Sequence, residues 1–168
     1  MHDAISIIIF SIEVMKLVCV SVSGINFAKQ FVVRELSLYF PQSGGRMHYF
    51  LEPPRGLKLD DADKKTDVYT KRVLGGISIY ERIPGSIAYS ELENILAKLV
   101  FNHRMLCIGH VTLRFLEELL PYAAIQDIQL STALKYPKTL PRLDCGYRHE
   151  GRHCSLAKLR YFKDNYNF

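Results

Sequence analysis

Phe31-Val-Val-Arg-Glu-Leu-Ser-Leu-Tyr-Phe40 alternates: Phe31, Val33, Glu35, Ser37 and Tyr39 share one face of an extended chain, and Val32, Arg34, Leu36, Leu38 and Phe40 share the other. Side chains of a strand repeat every second residue, so this stretch predicts a strand. Gln42-Ser-Gly-Gly45 reads as a turn and Arg46 to Leu51 as the returning strand of a hairpin. Glu52-Pro-Pro-Arg-Gly56 then stops the sheet, because neither proline can donate to a ladder. Upstream, Leu17 to Val22 is rich in β-formers and ends at Gly24, as a central strand would.

Further along, Leu57 to Gly85 shows little period. Asp60, Asp61 and Asp63 precede Lys64 and Lys65, which reads as a solvated loop or helix start rather than a metal site. Ser90 and Glu93 match a capping box, followed by Leu92, Ile95, Leu96, Leu99 and Val100 at core-facing helical spacing. Met105 to Ile108 predicts a short buried strand. Val111 to Leu120 predicts a helix with Phe115, Leu116, Leu119 and Leu120 inward, ended by Pro121. Ile125 to Leu130 is a further candidate strand, and Cys154 to Asn165 a last basic helix with Leu156, Leu159 and Phe162 inward. Antiparallel strands followed by alternating helices and strands argue for an α/β fold with a mixed, helix-covered sheet.

A chain of 168 residues suits one domain. Ala4 to Val22 is strongly apolar, but Glu13 and Lys16 interrupt it. The uncharged remainder, Ala4 to Ile12, is short for a membrane span of roughly 20 residues, and no basic segment precedes it. The expected organisation is an N-terminal extension or extra strand over residues 1–16 and a single domain over 17–168, with no membrane partner. Cys19 and Cys107 sit in the apolar runs Leu17-Val-Cys-Val20 and Met105-Leu-Cys-Ile108 and read as buried small residues. Without a disulfide framework the chain is expected to be intracellular, cytoplasmic or nuclear. Net charge is +5, and eight Lys and Arg against three acids between Lys135 and Asp164 equal that whole excess. A basic closing section suits an acidic partner such as a nucleic acid.

Asp144-Cys-Gly-Tyr-Arg-His-Glu-Gly-Arg-His-Cys154 is the densest chemistry in the chain. Zinc favours thiolate and imidazole in a tetrahedron closed by short loops. Cys145, His149 and Cys154 offer three ligands, with His153 as the alternative to His149, since adjacent His153 and Cys154 rarely turn to one point. Glu35 is the candidate fourth ligand, because an acid on an otherwise apolar strand face needs a cation. His48 and His103 read as surface residues, His110 as a helix cap or satisfied histidine, and Glu117-Glu118 as a solvated helix face. No phosphate-binding Gly-rich loop, G-x-S-x-G elbow or H-E-x-x-H occurs.

Val33-Arg-Glu-Leu-Ser37 after an N-terminal strand, with Cys145, His149 and His-Cys-Ser-Leu156 leading into the last helix, resembles the Maelstrom domain. It is also similar to related arthropod and mobile-element proteins of that exonuclease-derived fold, as are Leu74-Gly-Gly-Ile-Ser78 and Met105-Leu-Cys-Ile-Gly109. The resemblance spans about Leu17 to Asp164. It implies an RNase H-like sheet with a zinc-bound C-terminal helix and a Glu-Cys-His-Cys set at Glu35, Cys145, His149 and Cys154. The family spaces Cys and His by two residues and this chain by three, so His153 stays open as the alternative to His149. Active exonucleases of this fold carry Asp-x-Glu on the first strand to hold two metal ions. Here that strand reads Val20-Ser-Val-Ser-Gly24, and serine cannot replace a carboxylate on a hard cation. The implied function is RNA binding in small-RNA-guided transposon silencing, beside silencing-pathway proteins, without two-metal cleavage. Arg142, Arg148, Arg152, Lys158 and Arg160 would meet phosphates, and Tyr147 or Tyr161 would stack on an unpaired base. A ribonuclease with an unconventional site near the zinc and a protein-interaction scaffold are the alternatives.

Overall fold

β2 spans Phe31–Phe40, the whole alternating stretch, and residues 32–39 are all buried. Its neighbours account for this. β2 pairs antiparallel with β1 (Lys16–Asn26) on one side and with β3 (Gly45–Phe50) on the other. β4 (His103–Cys107) pairs parallel with β1, and β5 (Ile125–Asp127) parallel with β4. The sheet is therefore mixed and five-stranded, in the order β3-β2-β1-β4-β5. This computed structural model describes residues 15–129, 137, 140–141 and 143–166. The expected extension over 1–16 lies outside them up to residue 14, and β1 already begins at Lys16.

Apolar side chains bury the sheet on both faces. Val18, Val20 and Val22 of β1, with Leu36 and Leu38 of β2, meet Leu92 and Leu96 of α2 (Ser90–Val100) and Leu116 of α3 (His110–Leu119). On the opposite face Cys19 and Tyr39 meet Leu159 and Phe162 of α4 (Ser155–Asn165). The mixed, helix-covered α/β architecture expected from the pattern is thus present. Among the described residues no helix is long and apolar enough to cross a membrane.

Local physics moved several boundaries. β1 runs two residues past Gly24, because its register with β2 shifts between Ser23 and Gly24. A Cβ at Gly24 would lie 2.0 Å from the Val32 carbonyl oxygen, so only glycine permits that approach. The aspartate run starts α1 (Asp61–Arg72), with the Asp60 carboxylate accepting from the Asp63 N–H at 2.8 Å. Ser90 does not cap α2. Tyr89 is already helical, so Ser90 is carried into the first turn and makes no capping bond. His110 is likewise no cap: it is the exposed first residue of α3, and Gly109 at φ 90° makes the turn. The strand expected to reach Leu130 stops at Asp127. The Asp127 carboxylate accepts from the N–H groups of Gly109 (3.1 Å) and Gln129 (2.9 Å), which folds Ile128 and Gln129 into a helical turn.

Among the described residues Arg34 is the largest fully buried side chain. Its guanidinium donates to the carbonyls of Leu51 (3.0 Å), Glu81 (2.7 Å) and Ser78. Asp67 and Glu81 offset part of the desolvation that pushes its pKa down. Asp67 in turn accepts from the Ser78 hydroxyl and the Ile79 N–H, both at 2.6 Å. Arg34 thus ties the poorly patterned loop after α1 to β2. Arg34→Ala removes the donor to the buried Leu51 carbonyl and two further donors to the loop, and is expected to cost roughly 3–5 kcal/mol, read as a lower urea midpoint with an unchanged slope.

Candidate metal centre

Glu35 occupies the middle of β2, opposite Phe50 of β3 and Ser23 of β1, and points to the face that α4 covers. No water reaches it, since its exposure is 0 %. The segment before α4 supplies the rest. Gly146, at φ 90°, turns the chain after Cys145 and leaves His149 facing inward. A 3-10 turn at Gly151–His153 then delivers Cys154, which is the N-cap of α4. Gly151 is required there, because a Cβ would stand 2.4 Å from the Leu140 carbonyl oxygen.

These elements bring Glu35, Cys145, His149 and Cys154 together, all buried, with one potential ligand atom of each within 4.8 Å of every other. Cys145 Sγ lies 3.2 Å from His149 Nε2, Cys154 Sγ 3.3 Å from Glu35 Oε1, and His149 Nε2 3.6 Å from Glu35 Oε2. Bonds of about 2.0–2.3 Å to a tetrahedral ion require donor separations of about 3.3–3.8 Å. These three separations are close to that spacing, and all four donors lie within 4.8 Å of one another. Glu35 Oε2 is buried without an aligned hydrogen-bond partner, and a cation would satisfy it. This set can hold a metal ion. His153 lies outside it, half-buried beside Gly76.

The protonation pattern without an ion is lopsided. The Cys154 thiol keeps its proton, held up by its hydrogen bond to Cys145 and by burial. The Cys145 thiol is pushed down by that same bond from Cys154 and, against burial, by His149 and His48. Burial pushes Glu35 up, and the histidines offset only part of that. On His149 burial opposes charge, but Cys145 and Glu35 leave its pKa raised. A divalent cation would draw the remaining proton off Cys154 and release Glu35 from its isolation.

Two neighbours of the site take places other than those expected from the sequence. His48 is not a surface residue: its side chain is 17 % exposed, and Nε2 approaches Glu35 Oε1 to 3.3 Å. Its Nδ1 meets Ser37 Oγ at 2.8 Å, and Ser37 Oγ meets Ser155 Oγ at 2.7 Å. The hairpin itself held that signal, since its register places His48 opposite Ser37. Away from the centre, opposite Lys16 on β1, His103 is likewise not a surface residue but half-buried, with Nδ1 3.3 Å from the Leu99 carbonyl. Tyr147 roofs the site, its ring 5.6 Å from that of His149 and 6.3 Å from Phe50, with Lys71 against both its ring and its hydroxyl.

The basic residues do not form one ring around the centre. Arg148 is exposed, and Arg160 faces solvent beside Asp164 (3.8 Å). Lys158 turns inward, donating to Ser23 Oγ (3.0 Å) and the Val22 carbonyl (3.3 Å). Arg142 and the Arg152 side chain lie outside the described residues. Arg46 and Lys163, which the sequence reading passed over, join Arg160 around a cleft of about 290 Å³ floored by Tyr39 and Leu159. Neither family models nor curated proteins match this chain.

Proposed function

We propose that Glu35, Cys145, His149 and Cys154 hold one structural zinc ion, and that the domain so fastened binds RNA without two-metal cleavage. The observation that carries the zinc reading is the buried four-donor set itself. Two thiolates and an imidazole favour zinc over the hard cations that take oxygen ligands. The ion would pin α4 to β2 across the sheet and complete the RNase H-like domain that the Maelstrom resemblance implies.

Lys158 supports the loss of two-metal chemistry. Its ammonium rests on Ser23 Oγ, on the strand where nucleases of this fold place their metal-binding carboxylates. A fixed positive charge there opposes a divalent ion. Exposed Arg46, Arg148, Arg160 and Lys163 offer phosphate contacts instead. Such a module fits small-RNA-guided transposon silencing, with other silencing proteins as partners.

Fluorescence anisotropy with a single-stranded RNA tests this. Affinity should fall linearly with salt on a log–log plot, by about 0.7 per phosphate neutralised. The double charge reversal Arg46→Glu, Arg160→Glu should flatten that slope without changing the melting temperature. The RNA should stay intact with magnesium present. Salt-insensitive retention would favour a protein-interaction scaffold, and cleavage that survives magnesium removal but not Cys145→Ala would favour an unconventional ribonuclease.

A further inference from the structure

Beside the four clustered donors stands a fifth group with the marks of a ligand. His48 Nε2 is buried, has no aligned hydrogen-bond partner, and lies 3.3 Å from Glu35 Oε1. Its other ring nitrogen is held at 2.8 Å by Ser37 Oγ, which is itself anchored at 2.7 Å by Ser155 Oγ at the start of α4. Metal-binding histidines almost always show this arrangement, in which a hydrogen bond at one nitrogen fixes the tautomer and aims the other at the ion. In the tautomer whose Nδ1–H donates to Ser37, Nε2 presents a lone pair to the centre. Phe50 packs edge-on against the His48 ring, with centroids 4.9 Å apart, and limits its rotation.

We propose that His48 is a second imidazole ligand of this centre, able to take over the ion's fourth position from the Glu35 carboxylate. The proposal rests on the zinc reading and extends it, because the site then accepts two ligand sets. A displaced Glu35 carboxylate stays beside the ion, 0 % exposed, and keeps its negative charge, so the exchange leaves the total charge of the buried site unchanged. The exchange moves one lone pair onto the metal and one off it, with no proton transferred.

X-ray absorption at the zinc edge counts imidazoles directly. In the native protein either ligand set is allowed. Glu35→Gln is expected to keep one zinc per chain and to show two imidazoles around it. Glu35→Gln combined with His48→Ala is expected to bind zinc at least tenfold more weakly than Glu35→Gln alone. Glu35→Asp, whose carboxylate is one methylene shorter, serves if the glutamine variant does not fold, and two imidazoles are expected there also. A single imidazole in the zinc-loaded single variant, or equal zinc affinity for the single and double variants, would overturn the role of His48. Native protein that takes up no zinc would instead overturn the zinc reading beneath it.

Discussion

Stripping the metal with a strong chelator is expected to lower the melting temperature by 20 °C or more, to the point of unfolding α4 at ordinary temperature. Structural zinc contributes on the order of 10 kcal/mol in small domains, against a total stability of about 5–15 kcal/mol for a whole domain. The ion would fasten residues 119 positions apart, Glu35 and Cys154, and so close a very long loop. Its removal would also leave Glu35 Oε2 buried without an aligned hydrogen-bond partner, in a residue that no water reaches. Differential scanning calorimetry before and after chelation reads the effect. Zinc added back should restore the transition and magnesium should not, because the donors are two sulfurs, a nitrogen and one carboxylate.

Cys154→Ala is expected to match that loss, and a chelator should then add nothing, since both act on one site. The substitution removes a candidate ligand and also the acceptor of the Ala157 N–H at the start of α4, at 3.4 Å. Cys19→Ala is the control. Cys19 is equally buried, and burial pushes its thiol up to about 12, so it is a small core group and not a thiolate. It should keep the full zinc content and lose only modest stability from a small cavity. Metal content and melting of the two variants, measured side by side, separate a ligand from a packing residue.

The strands were legible because their side chains obey a local period: β2 matches its alternating stretch at both ends. Glu35 was legible for a similar reason, as an acid among apolar neighbours. His48 was not, because a histidine near a turn looks like any surface histidine until the hairpin register sets it opposite Ser37. Arg34 and Asp67 were missed for a related cause. Arg34 depends on the carbonyls of Leu51, Ser78 and Glu81, and Asp67 on the Ser78 hydroxyl and the Ile79 N–H, partners brought near only by the fold. Lys158 carries the same lesson, since its charge suggested a phosphate contact and its geometry ties it to β1. Where a side chain's partner is local, pattern reading finds its role; where the partner is far along the chain, only the assembled sheet does.

Elemental analysis of the native protein, purified without added metal or chelator, weighs directly on whether one ion joins α4 to β2. One zinc per folded chain is the expected result. A folded protein with no bound transition metal, whose melting a chelator does not change, would contradict it.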